Sequence, residues 1–353
     1  MALRIREALC FDDVQLVDGI NPVTSRSEVV LTNEAGYIPI FISPMMAVNS
    51  VEMQDAAIEN NIVHVFHRYN TFQERMTFLD EGGWGDDARN NIGLSIGMND
   101  TDEDILELAK YAGHLNFDVA ACYSKAVIER ATEILTLLEH VDVHLILGNY
   151  SNPEFAAHIS SLVDRRFGGS YNLTLKVSQG GSGVCSTRLM TGVGVPTFQA
   201  VVDSVEYTER ASLGLIADGG VKTPGDMMKA FGAGATGIMA GGIFAAHTEC
   251  SEEYRIVTDQ GVFYEYFGMA SERAKKGHFT EVKNIEGVSS LKRHKGSVHR
   301  TIAMILDGLR SGISMTGHSS LTSLIENKAS FVRVSGAGVM EASTYAKLGP
   351  NFG

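Results

Sequence analysis

Eight short apolar runs, each ending in small or polar residues, recur along 38–242 with helical segments between them. They lie at 38–45, 62–68, 92–98, 115–121, 143–149, 172–178, 214–220 and 236–242. Several are apolar without alternation, as strands covered on both faces must be. Between them, Asn152-Pro153-Glu154 and Thr223-Pro224-Gly225-Asp226 place a proline just inside a polar cap, which marks a helix start. Strand and helix alternating eight times predict an α/β fold, a (β/α)₈ TIM barrel. An open doubly wound sheet would have fewer strands and an early dinucleotide fingerprint, and no G-x-G-x-x-G follows the first run. The 353 residues therefore read as one domain: an N-terminal segment 1–37, barrel elements 38–250, a mobile flap and active-site loop 251–300, and a closing helix and tail 301–353.

Charge and cysteine usage narrow the function. The chain carries 42 acidic against 29 basic side chains, a formal charge of -13, which opposes indiscriminate binding to nucleic acid or anionic membrane. No stretch approaches the roughly 20 apolar residues that span a bilayer, and Arg4, Arg6, Asp12 and Asp13 interrupt any leader-like run. A cytoplasmic protein is expected. Cys10, Cys122, Cys185 and Cys250 show no metal-ligand spacing and are too sparse for a disulfide framework.

Three segments are candidates for chemistry, all at the C-terminal ends of predicted strands, where barrels gather catalytic groups. Lys176-Val-Ser-Gln-Gly-Gly-Ser-Gly-Val-Cys185-Ser-Thr187-Arg188 places a cysteine in a glycine-rich loop. A thiol there is either a nucleophile stabilised by amides or a base, or a small buried side chain in a tight turn. Asp218-Gly219-Gly220 and Gly241-Gly242 follow the seventh and eighth runs, a favoured position for phosphate binding by loop amides. Glu286-Gly287 lies in a basic stretch with Lys283, Lys292, Arg293, His294 and Lys295, where a glutamate is by default solvated.

Together these segments resemble the IMP dehydrogenase/GMP reductase family, and look closer to its GMP reductase branch. The resemblance runs from Phe11-Asp-Asp-Val to Phe331-Val-Arg-Val. It is carried by the Cys185 loop with Thr191-Gly-Val-Gly-Val-Pro196, by Ala217-Asp-Gly-Gly220 through Ala230-Phe-Gly-Ala-Gly-Ala235, and by Gly241-Gly242. Gly268-Met-Ala-Ser-Glu-Arg-Ala274 is similar to the reductase pattern, and there is no room for a CBS pair. The resemblance implies a homotetramer acting on a purine nucleoside monophosphate with NADPH: reductive deamination of GMP to IMP and ammonia through a Cys185 thioimidate.

Position by position, the resemblance implies Cys185, Thr187 and Glu286 as catalytic residues. It places Asp218, Gly219, Gly220, Gly241 and Gly242 about ribose and phosphate, and Gly268, Met269 and Ala270 against the base. Arg68, Asp118, Lys283 and Ser314 would meet the cofactor, with Ser25 and Arg26 reaching one held by a neighbouring subunit. Backbone oxygens of Gly180, Ser182 and Cys185, with Arg188 nearby, match the family's potassium site. The chain departs from the family at Pro44-Met-Met-Ala-Val48, Asp118-Val-Ala-Ala-Cys122 and Gly180-Gly-Ser-Gly183. The alternatives are an IMP dehydrogenase lacking CBS domains, an enzyme on a modified or deoxy purine nucleotide, and a nucleotide-binding protein without turnover.

Overall fold

The computed structural model describes residues 5–169, 171–276, 278 and 285–342. Its centre is a closed barrel of eight parallel strands. Strand β1 (Val14–Leu16) precedes it, and the barrel strands are β2 (Ile40–Ile42), β3 (Val63–Phe66), β4 (Ile92–Ile96), β5 (His114–Asp118), β6 (His144–Tyr150), β7 (Leu173–Val177), β8 (Gly214–Asp218) and β9 (Gly237–Ala240). Each falls within, or within one residue of, one of the eight apolar runs, and β9 closes on β2 through Ile40 opposite Ile238. The runs lack alternation because every residue of β2, β3, β4, β7 and β9 is buried, between the barrel interior and the surrounding helices.

The predicted caps hold. Asn152 accepts from the Glu154 amide at the start of helix Pro153–Phe167, and Thr223 accepts from the Asp226 amide at the start of helix Pro224–Gly232. Ser297 caps helix Val298–Met315, whose Ile302, Ile305 and Leu309 are buried. Met227 and Met228 are core residues.

Buried polar groups in and around the barrel are bonded in ways that fix their protons. At its floor, His114 Nε2 donates to the Asn90 carbonyl (2.9 Å), so its Nδ1 is bare and accepts from His144 Nδ1 (2.9 Å). His144 Nε2 then accepts from the Thr174 hydroxyl (2.7 Å). Burial lowers the pKa of both imidazoles, and this chain of bonds accommodates their neutral tautomers.

The stretch read as a flap loop is more ordered than expected. It carries a three-stranded antiparallel sheet of β10 (Arg255–Thr258), β11 (Gly261–Phe267) and β12 (Ser289–Arg293). Asp259 and Gln260 turn β10 into β11, with Thr258 opposite Gly261. The sequence concealed it because β10 is wholly exposed and β12 nearly so, so no apolar period marks them. The sheet packs over the C-terminal mouth of the barrel, with Tyr266 of β11 3.5 Å from Met45 Sδ. Finally, β13 (Phe331–Arg333) pairs antiparallel with β1, and the two lie against helix Pro224–Gly232. Lys229 of that helix donates to the Phe11 carbonyl at 2.9 Å.

Candidate active site

A cavity of about 890 Å³ opens at the C-terminal ends of the barrel strands. It is near the top of the range for small-molecule sites, roughly 300–1,000 Å³. Its chemistry begins where β7 ends and the chain loops through the glycines to Cys185. Arg188 ties this loop together, donating Nε to the Gln179 carbonyl (2.9 Å) and Nη2 to the Val195 carbonyl (2.5 Å).

The segment 286–288 threads between two others. Ser186 N–H donates to the Glu286 carbonyl (2.9 Å), Val288 N–H to Val184 (2.9 Å), and Glu286 N–H to Ala270 (3.1 Å). Gly287 is required by this approach, since a Cβ there would stand 2.8 Å from the Ser271 nitrogen. The threading brings Glu286 Oε2 to 2.7 Å from the Thr187 hydroxyl, which is 3.2 Å from Cys185 Sγ. A carboxylate only accepts, so the single Thr187 proton goes to Glu286, and the Thr187 oxygen is left to accept from the Cys185 thiol. The three side chains therefore form a proton path from sulfur to carboxylate.

A second cluster lies on the cavity wall. Lys176, a fully buried residue of β7, donates to Asp118 Oδ1 at 2.9 Å and stands 3.6 Å from Asp218 Oδ2. Asn149 donates to Asp218 at 2.7 Å, and Arg68 Nε is 3.6 Å from Asp118. Burial pushes both carboxyls up; Lys176 and Arg68 more than offset this at Asp118, whose pKa falls, whereas Asp218 stays raised. Burial also pulls Lys176 down, but its two carboxylate neighbours hold it above its ordinary value. Lys176 and Asn149 escaped sequence analysis, although a lysine inside a buried strand was itself a signal, since such a charge needs a partner.

Asp218, Gly219, Gly220, Gly241, Gly242, Gly268, Met269 and Ala270 all line the cavity, as do Cys185 and Glu286. Gly220 adopts φ +76°, a backbone angle suited to glycine, which turns the chain along the cavity wall. Tyr69, also unforeseen, donates its hydroxyl to the Met269 carbonyl at 2.6 Å and so holds the base-side segment in place.

The residues expected to meet the cofactor divide. Arg68 and Asp118 line the cavity beside Tyr69 and Ala120, with Arg68 Nε 3.6 Å from the Asp118 carboxylate. Ser25 and Arg26 lie outside the cavity on an exposed turn, Arg26–Glu28, that packs against helix Val298–Met315. Ser314 does not reach the cavity; it is fully buried, and its hydroxyl donates to Ser311 O. Lys283 lies outside the described residues. Of the residues expected about a potassium ion, Arg188 is itself a cation and bonds the neighbouring Gln179 and Val195 carbonyls, and the Ser182 carbonyl accepts from Cys185 N–H at 3.1 Å.

A barrel with a cysteine loop, a threaded glutamate and a glycine-lined cavity at its C-terminal mouth defines an enzyme-like class of α/β barrel. Comparison with known proteins places it more narrowly. The profile of the IMP dehydrogenase / GMP reductase domain matches residues 8–345. The chain is 30% identical over 342 residues to a GMP reductase of Vibrio cholerae serotype O1, covering 92% of this chain and 94% of the relative. It is also 30% identical to the GMP reductase of Onchocerca volvulus over 347 residues (92% and 91%) and to that of Ascaris suum over 345 residues (92% and 93%). The chain belongs to the IMP dehydrogenase/GMP reductase family. No helix among the described residues is long and apolar enough to cross a membrane.

Proposed function

We propose that the protein is a GMP reductase, converting a guanine nucleoside monophosphate to its inosine counterpart and ammonia. The observation that carries this reading is the Cys185–Thr187–Glu286 proton path beside a cavity of about 890 Å³ that Cys185 and Glu286 line.

The exocyclic amine of guanine is a poor leaving group, and a covalent intermediate divides its replacement into two easier steps. Cys185 loses its thiol proton through Thr187 to Glu286, and the sulfur bonds to purine C2. The C2–N bond then breaks, the amine leaving as ammonia with a proton returned along the same path, and a thioimidate remains. When bound, NADPH supplies the hydride that replaces the C2–S bond and frees the thiolate. Arg68 and Asp118 are the residues that would hold the dinucleotide. Asp218, oriented by Asn149 and Lys176, would hold the ribose hydroxyls, and the backbone of Gly268, Met269 and Ala270 would read the base.

The test is spectrophotometric. Purified protein is given GMP with NADPH, and separately IMP with NAD, while nicotinamide absorbance is followed. Oxidation of NADPH in the first mixture, abolished by Cys185→Ala with nucleotide binding retained, is the expected result. A signal only in the second would overturn the reductase reading.

A further inference from the structure

One end of the cavity holds a cation that neither the sequence motifs nor the proton path uses. Lys292 lies on β12, and residues two apart on a strand share a face, so Ser290 and Lys292 both look into the barrel mouth. The Lys292 ammonium donates to the Gly242 carbonyl at 3.0 Å and sits 4.8 Å from the centre of the Tyr266 ring. It is half-buried and pairs with no carboxylate among the described residues. Burial pulls its pKa down, and burial with Lys292 nearby pulls Lys295 down to about 8. An ammonium held against a ring face in a confined cavity, beside a second lysine, lacks only an anion.

The surrounding backbone points the same way. Among the described residues, the N–H groups of Gly220, Val221, Gly241 and Gly242 meet no hydrogen-bond acceptor, and all four residues line the same cavity. Val221 and Gly241 are buried residues and Gly220 and Gly242 partly buried, and such N–H groups along a cavity wall suit an oxygen-rich anion.

We propose that Lys292, braced by Tyr266 and the Gly242 carbonyl, is the counter-ion of the substrate's 5′-phosphate and sets the preference for a nucleoside monophosphate over the free nucleoside. This rests on reading the cavity as a purine nucleotide site. Amide N–H groups bring partial charges to a phosphate; Lys292 brings a full one to a dianion, in a chain whose overall charge of -13 repels it. Lys292 is also on the strand that continues directly from Glu286 and Gly287, so a phosphate drawn to it is drawn to the segment that carries the acid.

Calorimetric titration of the wild type, Lys292→Met and Lys292→Arg with GMP, guanosine and ribose 5-phosphate tests this. Lys292→Met is expected to weaken GMP and ribose 5-phosphate roughly 10- to 100-fold, the cost of losing one charge-assisted hydrogen bond. Guanosine binding should not change, and Lys292→Arg should recover most of the loss. GMP affinity unchanged in Lys292→Met, or guanosine weakened as much as GMP, would overturn the assignment. Ribose 5-phosphate bound in a Lys292-dependent way, with no binding of any purine, would uphold the phosphate counter-ion and reject the purine reading. GMP bound independently of Lys292 would do the reverse.

Discussion

Thr187 has one hydroxyl proton, and its geometry leaves no choice about where that proton points. Glu286→Gln preserves the shape of the acid but ends its ability to take and return a proton. We expect kcat to fall roughly 10²- to 10⁴-fold, the usual contribution of general acid–base catalysis, with GMP affinity within a few-fold of wild type. Steady-state kinetics and calorimetry on the same preparation check both halves. Local sequence suggested the thiol, and only the family resemblance joined it to Thr187 and Glu286, because 99 residues separate the latter two and no local pattern encodes their contact. Lys176 was harder still. Its apolar neighbours marked the strand, but its partners Asp118 and Asp218 come from two other strands, and only barrel closure reveals the cluster.

Strands of the barrel were legible because burial on both faces leaves an unbroken apolar run, while the sheet over the mouth was not. Its strands β10 and β12 keep mostly exposed residues, and what they do is decided by a few inward-facing side chains and by the thread at 286–288. In the proposed reaction that thread sets Glu286 against Thr187. Gly287→Ala would drive a Cβ to 2.8 Å from backbone nitrogen, which cannot rotate away as a side chain would, so the segment must shift. A displacement of about an ångström at a reacting group costs on the order of 10²-fold in rate. We expect kcat/KM to drop by that order, with the thermal midpoint nearly unchanged because the thread lies over the barrel rather than in it. A large loss of thermal stability with normal kinetics in the remaining folded protein would contradict this division of labour.

Across the molecule, four buried histidines and the partly buried His144 share one property. Burial lowers His64, His67 and His144 to about 3, and His114 and His247 to about 4. The unfolded chain, with imidazoles near 6.5, therefore binds more protons than the folded one between that pH and about 3 to 4. Stability is full above pH 6.5 and falls as pH drops, by roughly 1.4 kcal/mol per pH unit for each imidazole. At the barrel floor the cause for His114 is its burial, with the Arg89 charge lowering it further and the bond to the Asn90 carbonyl only partly opposing this. Urea unfolding followed between pH 7 and 5 should show the midpoint falling steeply, and a flat profile would reject the neutral assignments.

The pairing of β1 with β13 has a consequence for how the chain is made. The ribosome releases β1 before the eight barrel strands and β13 after them, so the partner of the earlier strand arrives only once the barrel strands are made. All eight barrel strands have emerged by then, while the apolar flank of helix Pro224–Gly232 near Leu16 and Phe331 still waits for its cover. A nascent chain halted shortly before Phe331 would thus hold a complete set of barrel strands with one sticky side, the state in which chaperones are most needed.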